Sequence, residues 1–452
     1  MTHSTSSGAA SSRALGTVLR RLHFCIGLFV GPFLLVAALS GVLYALTPQL
    51  EELIYEDALH ASTHGAPLAI AEQVRLARQY LGADAPVFAV RPSPAPGDTT
   101  RIMFRDDKSA PSESRALFID PVSGEIRGDM TVYGTSGVLP LRTWLDQFHR
   151  GLLLGDLGRL YSELAASWLW VAALGGVYLW SRRRRSKGLL AWHSQAGLWL
   201  MLGLLFFSAT GLTWSQYAGG NIGVLRAWYG WGTPSVSTQL HSSMASRGMN
   251  DEHAEHHMSM PMDMPTMPME DGIFDRVLSV ARAAGIQSAH IEIKPAAKPG
   301  QAWTVTEIDR RWPTHVDAVA IDPTNLQVTD HAVFSDYPMA AKLTRWGIDA
   351  HMGALFGLPN QLLLIVVGIG LVVMVCLGYA MWRKRRPTRG LQPSLMAAWR
   401  ELSPLARGIS LLASLALGVA LPVLGGSLVL LLAIDALLGL RTANIALDNE
   451  QA

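Results

Sequence analysis

The chain has 452 residues, half of them apolar and only 16% charged, and its mean hydropathy is positive. A soluble globular chain carries about 25% charged residues, so an ordinary soluble enzyme is disfavoured. A formal net charge of +2 offers no broad basic face for nucleic acid. The two cysteines, Cys25 and Cys376, both lie inside apolar runs, which excludes a disulfide scaffold, a zinc ribbon and a Cys-ligated iron–sulfur cluster.

A helix needs about 20 mainly apolar residues to cross a hydrocarbon core. In chain order, the pattern predicts a tail (1–17), a first span within 18–46, a long polar segment (47–159) and a second span (160–181). A basic link (182–188), a third span (189–214), a second polar segment (215–358) and a fourth span (359–382) follow. After a basic stretch (383–407), the apolar run to Leu440 is interrupted by Pro422, Gly425 and Gly426. It reads as two short helices, 408–421 and 423–440, with a re-entrant hairpin as the alternative, ahead of a tail (441–452).

Arg and Lys in short loops set orientation. Arg182, Arg183, Arg184, Arg185 and Lys187 fill one link, and Arg383, Lys384, Arg385, Arg386 and Arg389 another. Both links, with the N-terminus and its Arg13, Arg20 and Arg21, are expected in the cytoplasm of a bacterial cell. The two polar segments then face the periplasm, and the protein is expected in the inner membrane as a multi-pass protein. The first apolar run is longer than a cleavable signal and lacks a clean small-x-small site, so it reads as an anchor.

Two fixed offsets reveal an internal repeat. At 170 residues His23 meets His193, Gly27 meets Gly197, Ser40 meets Thr210 and Gly41 meets Gly211. At 202 residues Trp144 meets Trp346, His149 meets His351, Gly151 meets Gly353, Gly176 meets Gly378 and Trp180 meets Trp382. Ile119-Asp120-Pro121 meets Ile321-Asp322-Pro323 at the same offset, and both read as β-turns. The predicted architecture is an α-helical membrane protein with a four-helix core built from a tandem repeat, two C-terminal helices and two small α+β periplasmic domains. Helical patterns at Leu68–Leu81 and Gly272–Ala284 precede strands at Arg101–Phe104 and Arg115–Ile119, then Trp303–Ile308 and Val316–Ile321. The difference between the offsets marks an insertion, matched by a His/Met-rich stretch over 241–270 ahead of the second domain (271–340).

Histidines at membrane depth are costly and tend to be functional. His23 and His193 open the first and third spans; His149 and His351 precede the second and fourth. Repeat symmetry pairs them inside a bundle, one pair near each face, and two neutral imidazoles are the ligand set of a six-coordinate haem iron. For any single histidine the plain alternative is an interfacial side chain with a hydrogen-bond partner. Gly27, Gly197, Gly151 and Gly353 beside the ligands would clear room for a flat macrocycle, or serve close helix packing.

These motifs resemble the PepSY-associated transmembrane family: Arg21-Leu22-His23 with Gly27, the two Ile-Asp-Pro loops, Phe148-His149-Arg150-Gly151 and Ala350-His351-Met352-Gly353. The likeness covers about residues 15–390 and implies PepSY-like periplasmic domains and two b-type haems held by His23, His193, His149 and His351. Members include iron-regulated membrane proteins and ferric siderophore reductases, so the resemblance implies delivery of electrons to a periplasmic ferric siderophore.

His241, His253, His256, His257, Met258, Met260, Met262, Met264, Met267 and Met269 form the insertion's candidate metal set. Thioether sulfur suits Cu(I) and imidazole suits several metals; the plain alternative is a flexible linker of biased composition. Asp435 in the last apolar run lies near a helix end, where snorkelling to the interface suffices. Trp192, Trp199, Trp214, Trp228 and Trp231 fit an interfacial belt. His60 and His64 read as exposed spacer.

No Walker pattern and no Gly-rich dinucleotide turn occurs, so electrons are expected from quinol or a cytoplasmic reductase. Three functions follow: a di-haem ferric chelate reductase, the same wire serving copper, or a non-enzymatic module that binds peptides or restrains proteases.

Overall fold

The computed structural model describes residues 4–105, 110, 112–134, 136–183, 186–240, 249–250, 272–384 and 395–450. In chain order the first elements are α1 (Ser4–Cys25), α2 (Gly31–Ala45), α3 (Thr47–Ile54), α4 (Glu56–Leu59) and α5 (Ile70–Leu81). Strands β1 (Val87–Arg91), β2 (Thr100–Phe104), β3 (Glu113–Ile119) and β4 (Ile126–Tyr133) precede α6 (Pro140–Gly151), α7 (Gly155–Ser181), α8 (Leu189–Thr213) and α9 (Tyr217–Trp228). Then come α10 (Ile273–Ala283), β5 (Ile291–Lys294), β6 (Trp303–Glu307), β7 (Ala318–Ile321), β8 (Val328–Ala332) and α11 (Met339–His351). The chain finishes with α12 (Leu358–Lys384), α13 (Leu395–Arg400), α14 (Pro404–Ala420) and α15 (Pro422–Glu450).

Two compact units result. A helical unit comprises Met1–Leu43, Gln147–Val224 and Leu362–Ala452, and a sheet unit comprises Tyr44–Asp146 and Leu225–Gln361.

Among the described residues, four helices are long and apolar enough to cross a membrane: Arg13–Ala45, Gly155–Ser181, Leu189–Thr213 and Leu358–Lys384. The protein is therefore a multi-pass membrane protein. α1 and α2 are one rod joined through a π-helical turn, Ile26–Val30. Such turns widen the helix, leave carbonyls off the regular ladder and recur at functional sites; here the Tyr379 hydroxyl donates to Leu28 O at 2.9 Å. Ile26, Val30, Leu34, Trp168, Leu204, Leu371 and Leu424 form the apolar centre of this unit.

The C-terminal run breaks at Leu421–Pro422 into α14 and α15, where a helix cannot continue past proline without losing a hydrogen bond. Their apolar parts, Pro404–Ala420 and Pro422–Leu437, are shorter than the four spans. A Cβ on Gly418 would stand 3.4 Å from the Gly425 Cα, so the two helices cross at this glycine pair. Asn221 Nδ2 donates to Val419 O and Ala420 O, and Trp168 Nε1 donates to Ser427 Oγ at 2.8 Å. Asp435 departs from the snorkelling expectation. It is buried, 3.5 Å from Arg21 Nη2, and accepts from Met396 N at 3.3 Å. A buried carboxylate in an apolar helix needs such partners.

In the sheet unit, eight strands form one antiparallel sheet in the order β8-β7-β6-β5-β1-β2-β3-β4. The strand patterns of both polar segments thus join edge to edge, with Val90 of β1 opposite Ile293 of β5. Ile70, Val74 and Ala77 recur at helical spacing on α5, and Phe274, Val277 and Ala281 on α10. Both stripes pack on Val90, Ile102, Phe104, Leu117, Ile293, Val305 and Val319 from one face of the sheet. The Asp-Pro segments turn the chain as expected. Asp120 is fully buried and accepts from Thr63 N, Thr63 Oγ1, Ser62 N, Val122 N and Ser123 N. Burial opposes its charge, but these donors prevail and hold the carboxyl well below the usual range.

Across the β1–β5 join, Arg91 Nε donates to Glu292 Oε2 at 2.8 Å, and Lys294 Nζ reaches Glu292 Oε1 at 2.7 Å. Burial alone would raise the Glu292 carboxyl; Arg91 and Lys294 outweigh it and hold the group down to about 2. A carboxylate depressed on folding adds stability above its unfolded pKa, and that stability fades as pH falls towards the folded value. Acid unfolding, followed by near-ultraviolet circular dichroism, is expected to lose about 3 kcal/mol from this group between about pH 5 and pH 2. In Glu292→Gln that pH-dependent component should be absent.

Candidate functional site

The helical unit brings His23 and His193 together. His23 stands in the third turn of the span Arg13–Ala45, and His193 in the second turn of α8. Their ring centroids are 6.2 Å apart, with the ring planes at 82°. Two imidazoles bonded at about 2 Å to opposite sides of one metal atom place their ring centres about 6 Å apart.

The orientation of each ring is fixed from behind. His23 Nδ1 donates to Ala172 O of α7 at 3.1 Å, and His193 Nδ1 donates to Met374 O of α12 at 3.1 Å. A carbonyl only accepts, so each Nδ1 carries the proton and each Nε2 keeps its lone pair. The two hydrogen bonds fall on the sequence offsets already described: His23 and His193 differ by 170, Ala172 and Met374 by 202. Close approach to α7 is possible because position 176 is glycine; a Cβ there would lie 3.2 Å from His23 Cε1.

His149, near the end of α6, repeats this arrangement. Ser40 Oγ donates to Val36 O at 2.7 Å and therefore accepts from His149 Nδ1 at 2.9 Å, which again leaves Nε2 bare. Gly41 takes the role of Gly176, since a Cβ there would lie 3.3 Å from His149 Cε1. Burial, with Arg150 adding to it, lowers the imidazole to about 4, so the ring is neutral at pH 7. The backbone around it is tied by Tyr161 Oη to His149 O (2.6 Å) and Ser162 Oγ to Arg150 O (2.7 Å). The following elbow places Leu152 and Leu153 at φ 52° and 60°, a left-handed conformation that non-glycine residues adopt at a cost of about 1 kcal/mol or more.

His351 belongs to the sheet unit, as the last residue of α11. Asn360 Nδ2 donates to the adjacent Ala350 O at 2.9 Å, and the buried Asp349 accepts from Arg345 Nε at 3.0 Å.

The glycines do not act alike. A Cβ at Gly27 would meet nothing within 4 Å, which is the open space a flat ring system requires. Gly197 faces Met374 Cε at 3.1 Å, and Gly151 lies against the backbone of Gly158 and Arg159. Gly353 has φ 77° and serves the turn after α11. Gly27 thus has free room, while close packing accounts for Gly197 and Gly151 and turn geometry for Gly353.

The insertion's metal set, His241, His253, His256, His257, Met258, Met260, Met262, Met264, Met267 and Met269, lies outside the described residues. Among the described residues, no group of three or more His, Cys, Asp or Glu is placed to hold a metal ion. His60 is no idle spacer: its ring lies between Glu52 Oε1 (2.5 Å) and Asp98 Oδ1 (3.6 Å), and the Glu52 hydrogen bond raises its pKa. Trp192, Trp199 and Trp228 are largely exposed, and Trp199 stands near the middle of α8 rather than at an end, which departs from an interfacial belt.

The residues that orient the rings were missed as such in the sequence. Ser40, Gly41 and Gly176 were visible in the repeat, but nothing in one dimension marks the carbonyls of Ala172 and Met374 as acceptors.

Residues 20–385 match the model of the PepSY-associated TM region family, and the chain belongs to that family. Among curated proteins none matches it.

Proposed function

We propose that this protein is a di-haem electron carrier of the inner membrane that reduces a ferric chelate on the periplasmic side. The observation that carries the reading is the His23–His193 pair, with rings 6.2 Å apart and both Nδ1 atoms committed to carbonyls. The residues fit a haem: the donor set is bis-imidazole, and Gly27 leaves open space. Bound there, haem supplies one-electron transfer without an open position for oxygen.

The chain's own residues do the rest. His23 and His193 would hold the iron, while Ala172 O and Met374 O keep both rings in the tautomer that ligation needs. His149 is oriented in the same way by Ser40; its partnership with His351 is proposed on the sequence offset alone. With the basic links on the cytoplasmic side, the His23 pair lies towards the electron donor, quinol or a cytoplasmic reductase. The tandem repeat is part of the same proposal, since it supplies two equivalent ligand pairs.

The test is a dithionite-reduced minus oxidised visible spectrum of protein made with ample haem supply, with haem quantified per chain. Sharp low-spin b-type bands at about two haems per chain are expected from the two ligand pairs. Haem-free protein would overturn the reading and leave the peptide-binding module as the account.

A further inference from the structure

The sheet carries α5 and α10 on one face, and strand alternation sends Arg91 of β1, Arg101 of β2 and Glu292 and Lys294 of β5 to the other. These four sit on the central strands, beside the β1–β5 join. Apolar clusters flank them on that face. Ala89, Met103, Phe118 and Leu139 pack to one side, and Ala318, Phe334 and Ala341 to the other. The middle of the face is therefore a charged strip between two apolar shoulders.

Its cations are not all paired among the described residues. Glu292 is shared by Arg91 and Lys294, and Glu51 of α3 pairs with Arg142 of α6. Arg101 lies among these groups and senses Arg91, Arg142, Glu51 and Glu292. Among the described residues it has no carboxylate within ion-pair distance. Its Nη1 donates to Gly137 O at 2.7 Å, and its guanidinium stands 4.7 Å above the Phe118 ring. Its Nε and Nη2 meet no acceptor among the described residues. Among the described residues Arg101 is thus the cation of the strip that has no ion pair of its own.

A half-buried cation short of counter-charge is costly unless an anion completes the site. Burial, with Arg91 adding to it, lowers the Arg101 guanidinium to about 9. The strip stays reachable, since the side chains of Arg91, Arg142 and Lys294 remain 15%, 27% and 29% exposed. The bond to Gly137 O uses one of the five donors of Arg101, which leaves the guanidinium edge to take a carboxylate in two-point fashion.

We propose that this strip binds a polycarboxylate through Arg101, and that the ferric complex taken by this protein is an anionic, carboxylate-ligated one. The iron in that statement rests on the reductase reading; the carboxylate site does not. The experiment titrates the full chain in detergent with sodium citrate, against sodium chloride and sodium phosphate at matched ionic strength, by calorimetry. Citrate is expected to bind the parent protein, and Arg101→Met, which keeps the bulk and loses the charge, to bind at least about tenfold more weakly, or about 1.4 kcal/mol. Equal heats from chloride or phosphate would overturn the proposal, as would undiminished citrate binding by Arg101→Met. Should that variant fold poorly, citrate protection of Arg101 from phenylglyoxal in the parent protein, read by mass spectrometry, decides instead, and lack of protection overturns the site. Citrate binding to haem-free protein would sustain the site and sink the reductase reading; haem without citrate binding would do the reverse.

Discussion

The parent is expected to purify with two haems per chain and the His193→Ala variant with one, and His23→Ala is expected to do the same. In the proposed arrangement both side chains would hold the same iron, so either deletion is expected to remove that site as a unit. The ring cannot be replaced by a neighbour, since no further imidazole lies in the described part of this site and both acceptor carbonyls belong to fixed helix backbone. Residues that act as one unit give non-additive losses. His23→Ala combined with His193→Ala should therefore retain one haem, no worse than either alone. His193→Ala combined with His149→Ala should retain none. Pyridine haemochrome quantification per chain separates these outcomes. Two haems in either single variant would refute the pairing, whatever the activity.

Much of this site was legible as pattern and little of it as contact. The two offsets identified all four histidines because identity at a fixed spacing survives in one dimension. They also passed over Gly176 and Gly41 without a role, since what those glycines do depends on which helix lies opposite. Helices α5 and α10 were readable from their apolar spacing. Of each four-strand set only the inner strands, β2 and β3, then β6 and β7, were recognised. β1 and β5 alternate too, yet their pairing is a tertiary event, and it makes one sheet of what reads as two separate patterns. Asp435 was judged by its position near a helix end; its partner Arg21 is 414 residues away in sequence. The π-helical turn at Ile26–Val30 has no signature beyond an apolar run.

Gly158→Ala is expected to be the most damaging single-methyl change in the molecule. Gly158 lies one turn into α7, and an added Cβ would stand 1.7 Å from Gly151 O at the end of α6. A carbon normally comes no nearer to a carbonyl oxygen than about 3.3 Å, so the two helix ends must part by about 1.5 Å. Neither obstacle is a flexible side chain, because both sides of the contact are backbone. Overpacking of this kind costs about 1–3 kcal/mol, and more where backbone must shift. The displaced segment is the one that carries His149. Its ring rests on Ser40 and within van der Waals reach of Gly41, and its carbonyl on Tyr161, so it has little slack to absorb such a shift. The variant is therefore expected to melt several degrees below the parent and to lose the haem assigned to His149 while keeping the one at His23 and His193. Gly175→Ala in the same helix is the control: a Cβ there meets nothing within 4 Å, and alanine favours a helix over glycine by about 1 kcal/mol. If both variants melt like the parent, the α6–α7 contact is not as close as drawn. A destabilised Gly158→Ala that keeps two haems would instead preserve the contact and deny His149 its role as a ligand.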